Sequence, residues 1–155
     1  MRDRYSIILA VLAAAFLLRV AGQALVAVGG VKFLPPMEQW YSGLIPYPVL
    51  LPVQLVILLT QAKISRDIAR GAGFFAHCRP WGGKLLERFS IIYFAAMVLR
   101  YVATMYLYPE RRWFSGTIPI FFHWVLAAYL FVLSRYQLSE TCVAPADNNA
   151  AQGAN

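Results

Sequence analysis

Tyr5-Ser-Ile-Ile-Leu-Ala-Val-Leu-Ala-Ala-Ala-Phe-Leu-Leu-Arg-Val-Ala-Gly-Gln-Ala-Leu-Val-Ala-Val28 carries one charge, Arg19, in an otherwise apolar run. About 20 such residues cross a ~30 Å hydrocarbon core as a helix, which satisfies every backbone N–H and C=O where water is absent. The run follows a basic start, Met1-Arg-Asp-Arg4, so a secretory signal competes with a retained span. In that reading Tyr5 to Leu18 is the apolar region, and Gly22-Gln-Ala24 is a small-residue cleavage site. The apolar run resumes after Arg19 and continues to Val28, which favours a full crossing.

Three more runs of similar character follow, over residues 45–61, 85–108 and 117–136. Of the 155 residues 60% are hydrophobic and 14% charged, whereas a soluble domain is nearer half apolar and about a quarter charged. The sequence therefore predicts an all-α integral membrane protein, a four-transmembrane-helix bundle over residues 1–136 with its first span at 5–28. Residues 137–155 are small and polar and read as a disordered C-terminal tail.

Between the first two spans lies Phe33-Leu-Pro-Pro-Met-Glu-Gln-Trp-Tyr-Ser-Gly-Leu-Ile-Pro-Tyr-Pro48. Proline before Met37 and Glu38, and Gly43 after them, punctuate a short helix: fixed φ at entry, an acid in the first turn, glycine at exit. Trp40, Tyr41 and Tyr47 favour the boundary between hydrocarbon and water. The stretch predicts a short interfacial helix between helices 1 and 2. Within the second run Pro52 is expected to bend the helix, and Lys63, Arg66 and Arg70 extend its period beyond the apolar part until Gly71-Ala-Gly73 ends it. Phe74 to Trp81 reads as an interfacial connector.

The net charge of +7 lies in short connectors, too short for a nucleic-acid-binding module. One side holds Arg2, Arg4, Lys63, Arg66, Arg70, Arg79, Lys84, Arg88 and Arg135; the other holds Lys32, Arg111 and Arg112. The positive-inside rule places both termini in the cytoplasm, and a bacterial inner membrane is the default host. Cys78 and Cys142 have no metal spacing and read as free thiols. Phosphate-loop, dinucleotide, hydrolase-elbow and zinc-helix motifs are absent, as are repeats of solenoid length. Two histidines at different depths do not make a bis-histidine haem site, and no metal or cofactor is expected. Leu18-Arg-Val-Ala-Gly22 with Gly29-Gly-Val-Lys32 resembles the opening helix of DoxX-like four-helix proteins. The resemblance covers that helix alone, and the later spans do not share it.

Function is sought where polar groups are expensive. Arg19 lies roughly 21 Å along the first span, at ~1.5 Å per residue, with Gln23 one turn further on the same face. Arg100 reaches a similar depth in the third span, followed at i+4 and i+8 by Thr104 and Tyr108; His123 lies two turns inside the fourth. Glu38 and Trp40 belong to the stretch above. An arginine near a helix centre costs roughly 2.5–3.5 kcal/mol on insertion scales. Two such residues weigh on a fold whose net stability is on the order of 5–15 kcal/mol.

Arg19, Gln23, Glu38, Trp40, Arg100, Thr104, Tyr108 and His123 thus form the candidate ligand-binding set. The plain alternative is that the arginines snorkel or tie helices together through backbone carbonyls. Gln54 and Gln61, seven apart, suit interhelical hydrogen bonds, and Lys63, Arg66, Arg70 and Arg79 suit anionic lipid heads.

The leading expectation is a small multi-pass protein with an outward-facing polar pocket for an amphipathic anion of lipid, isoprenoid or quinone type. The same polar groups could instead meet a membrane protein partner or a second copy, making the chain an accessory subunit. The runner-up is a membrane-embedded enzyme acting on a lipid-like substrate, with Glu38 and His123 as the acid–base pair. Channel and transporter readings fail: no polar stripe runs through a whole span and no inverted repeat is visible.

Overall fold

The computed structural model describes residues 2–29, 46–77, 79–107 and 118–139. Four helices make up most of these: α1 Arg2–Gly29, α2 Tyr47–Arg70, α3 Pro80–Leu107 and α4 Ile118–Leu138. No strand occurs among the described residues. All four helices are long and apolar enough to cross a membrane, as a membrane protein requires. Most of the stretch proposed as an interfacial helix lies outside the described residues. Its last three, Pro46 to Pro48, open α2.

Local chemistry accounts for the helix ends. Pro46 is the N-cap of α2, with proline again in the first turn, and the Pro46 carbonyl accepts from Val49 N and Leu50 N, each at 3.0 Å. Pro52 lies inside the helix, which continues through the basic stretch to Arg70. At its end Gly71 takes a left-handed φ of 66°, a conformation strained for any residue with a Cβ. Gly71 N donates to Ile68 O at 3.1 Å and Ala72 N to Asp67 O at 3.2 Å, the paired bonds of a Schellman stop.

Helix boundaries differ from the sequence reading at several places; α1, for one, begins at Arg2, ahead of the expected Tyr5. α3 begins at Pro80, ahead of the expected start near Leu85, because proline needs no N–H bond in a first turn. The glycines that made this look like a connector serve packing: a Cβ on Gly83 would sit 3.0 Å from the Leu138 side chain, so α3 and α4 approach closely here. α4 runs through Leu138, two residues into the stretch assigned to the tail. Gln137 is held there by Arg79 N, which donates to its Oε1 at 2.9 Å, and by its own Nε2, which donates to Phe75 O at 3.3 Å.

The helices pack as two hairpins. α1 lies against α2, α3 lies against α4, and the hairpins join where α1 meets α4. The start of α1, the end of α2, the start of α3 and the end of α4 share one end of the molecule, called here the basic end. Its apolar core is Leu9, Ile64, Ile68, Tyr129, Leu133 and Tyr136. Tyr5 meets Tyr136 edge-on at 5.7 Å between ring centroids, and the Tyr136 hydroxyl donates to Ala76 O at 3.2 Å. α3 is the least covered helix, with only Gly83 and Ser90 buried.

Candidate functional site

At the opposite, far end the buried faces turn polar. Arg19 and Gln23, one turn apart on α1, are 8% and 0% exposed. From α2, Gln54 donates its Nε2 to Gln23 Oε1 at 3.1 Å and is itself buried. From α4, Phe122 puts its ring under the Arg19 guanidinium, 5.5 Å from Cζ to centroid, a cation–π contact. The next residue, His123, shares a hydrogen bond between Nδ1 and the Tyr93 hydroxyl of α3. The two rings meet edge to face at 5.9 Å.

Contacts between helices bring these groups together. On α3, Arg100 lies two turns from Tyr93, the residue that bonds His123, and on the same face. Three helices, α1, α3 and α4, thus meet around Phe122 and His123. α2 adds the glutamine that fixes Gln23. Trp124 packs beside the site against Phe94, Tyr101 and Phe121, with centroids at 6.0, 5.6 and 6.5 Å. The Phe94 and Tyr101 contacts hold α3 on α4.

The structure brings Arg19, Gln23, Arg100 and His123 to the far end. Thr104 is half-buried, and its hydroxyl donates to the Arg100 carbonyl at 2.8 Å, so it is engaged by its own helix. Glu38, Trp40 and Tyr108 lie outside the described residues, as does Glu110. Tyr93 was missed in the sequence. It precedes Arg100 by seven residues, so it shares a face with Arg100 and Thr104, and that stripe could have singled it out from the other aromatic residues of α3.

Several polar atoms here are buried and make no hydrogen bond: Gln23 Nε2, Gln54 Oε1 and Trp124 Nε1. Each costs about 1–3 kcal/mol if left so, and more against hydrocarbon. The glutamine pair leaves one donor and one acceptor side by side. Exchanging oxygen and nitrogen in both amides swaps their roles and leaves the same requirement. Both can be satisfied by one group that donates and accepts, such as a hydroxyl. Deeper in α2, Gln61 also has both amide atoms unpaired, while its carbonyl accepts from the Tyr129 hydroxyl at 3.0 Å.

The basic end contrasts with this. Lys63 Nζ and Phe75 N both reach Asp67 Oδ2 at 3.4 Å, Arg135 pairs with Glu87 at 3.4 Å, and Arg79 sits 4.2 Å above the Phe74 ring. Among the described residues no three His, Cys, Asp or Glu side chains come together as a metal site would need. No family model matches the chain, and no curated protein or solved structure is significantly similar to it.

Proposed function

We propose that the protein is a multi-pass membrane protein that binds an amphipathic small molecule at its far end, with an anionic or carbonyl-bearing head against Arg19, Arg100 and His123. The observation that carries this reading is a buried Arg19 stacked on Phe122, next to the Tyr93-bonded His123 and an amide pair with an open donor and acceptor. A guanidinium fork is suited to carboxylate, phosphate or quinone-type oxygens. The Gln23–Gln54 pair would take a neighbouring hydroxyl. The ligand's tail would lie along the apolar helix faces. By the positive-inside rule the basic end faces the cytoplasm, so the site opens toward the outer leaflet of a membrane of bacterial inner-membrane type.

Native mass spectrometry of gently purified protein tests this. Wild type should carry a mass of a few hundred daltons that Arg100→Ala loses. A bare wild type that travels with a neighbouring membrane protein would overturn the pocket and favour the accessory-subunit reading. The broad uncovered surface of α3 supports that second reading. A lipid-directed enzyme ranks third: the Tyr93 bond orients His123 for proton transfer, and His123→Gln would then abolish turnover while leaving the bound mass.

A further inference from the structure

A second, unrelated feature lies on the outside of the α3–α4 hairpin. Ser90, Ile91 and Phe94 of α3 and Ala127, Ala128 and Phe131 of α4 line a groove of about 260 Å³. Its floor is made of small side chains: Ala127 and Ser90 are both 2% exposed. Ile91, Phe94 and Phe131 form rims that are 55%, 46% and 40% exposed. The one hydroxyl in the lining is already used, since Ser90 Oγ donates to Glu87 O on its own helix at 2.8 Å. The groove therefore offers a ligand no free side-chain donor and an otherwise wholly apolar lining, and what fits it is hydrocarbon. Its volume is that of roughly eight or nine groups of about 30 Å³, the share of one water molecule.

Position decides what the hydrocarbon belongs to. Along α4 the groove face continues from Ala128 through Phe131 to Arg135, and along α3 from Phe94 through Ile91 to Glu87, in steps of three or four residues. Arg135 and Glu87 bridge that end at 3.4 Å, and the Arg135 side chain is still 55% exposed. Lys84 and Arg88, both exposed, flank it. Three bases against one acid leave the mouth positive, about 10 Å along the axis from Ala128 at ~1.5 Å per residue.

A second copy related by a two-fold axis along the helices would set Lys84, Arg88 and Arg135 against their own equivalents, like charge on like. An acidic head would instead neutralise them, where a basic cluster at a membrane surface attracts anionic lipid.

We propose that this groove is a binding site for one acyl chain of an anionic glycerophospholipid, whose phosphate lies against Arg135, Arg88 and Lys84. The inference rests on the membrane reading but not on the far-end pocket. The lipid is held from the basic end, on a different face of α4 from the Tyr136 core contact. It wedges the α3–α4 hairpin where side-chain packing leaves a gap.

Native mass spectrometry with equimolar dioleoylphosphatidylglycerol and dioleoylphosphatidylcholine tests it, in the detergent that keeps the protein folded. Wild type should retain one phosphatidylglycerol in preference to phosphatidylcholine. Ala128→Phe fills the groove from an exposed position and should lower that retention about tenfold; Ile91→Trp, also exposed, should do the same if Ala128→Phe loses helix content. Arg135→Gln should remove the preference for the acidic head while leaving some lipid bound. Arg100→Ala should leave this lipid in place, which separates failure here from failure of the far-end site. Equal retention of both lipids by wild type, or retention unchanged by the groove-filling variants, overturns the proposal. So does a dimer that those variants dissociate.

Discussion

The two ends of the hairpin pair are built from the same elements and differ in what they bury. At the basic end Leu9, Ile64, Ile68, Tyr129 and Leu133 interlock, and apart from the Gln61 amide the polar groups around them find partners, Asp67 with Lys63 and Phe75 N, Gln137 with Arg79 N and Phe75 O. At the far end the same α1–α2 seam carries Arg19, Gln23 and Gln54, and the glutamine pair has a buried donor and acceptor left over. Apolar side chains with satisfied neighbours serve stability alone. Buried polar groups with spare capacity lower stability, which within a membrane span makes them candidates for a binding site. One end holds the molecule together, and the other is the end we propose as the binding site.

That division can be broken by experiment. The largest expected effect is at the core: Ile68→Ala, at a position with no exposure, should lower stability by about 2–5 kcal/mol in thermal unfolding in detergent. It should leave far-end ligand binding intact in the folded fraction. Next comes Gly71→Ala, which forces a Cβ into a left-handed turn already occupied by the Arg2 guanidinium. About 1–2 kcal/mol is expected from the backbone alone, read by the same unfolding measurement.

Smaller still is Tyr93→Phe, which keeps the ring and removes the bond to His123. Its stability loss should be about 1 kcal/mol. Its clearer signature is weaker retention of the far-end ligand in native mass spectrometry. The smallest stability effect is the most telling. Gln23→Leu with Gln54→Leu removes both halves of an under-satisfied pair, so stability should stay within about 1 kcal/mol of wild type or rise. Ligand retention should disappear. A loss comparable to that of Ile68→Ala would sink the comparison and make the amides structural.

Much of the fold was legible in the sequence because the bilayer imposes a coarse rule on it. Length and apolarity marked four helices, and Gly71 marked the end of α2 through its missing Cβ. Pro80-Trp-Gly-Gly83 misled because glycine has low helix propensity, and only the partner helix reveals that Gly83 makes room for Leu138. Gln137 misled in the same way: a polar residue after the last apolar turn reads as tail until the connector it fastens is seen.

In the site, Arg19, Gln23, Arg100 and His123 were visible because charge in an apolar span is conspicuous. Tyr93 was not, because a tyrosine among aromatics carries no such mark and its partner lies 30 residues away on another helix. The groove under Ser90 and Ala127 was invisible for a related reason: a gap belongs to two helices and to neither sequence.

The two-hairpin packing also sets a timetable for biosynthesis. α1 can meet its chief neighbour as soon as α2 has emerged, since the two are consecutive in the chain and packed on one another. α3 has no comparable neighbour among the described residues until α4 follows. During synthesis at roughly 5–20 residues per second, α3 therefore spends seconds in the membrane with nearly its whole length facing lipid or the insertion machinery. α4 then arrives as the piece that both captures α3 and joins the two halves.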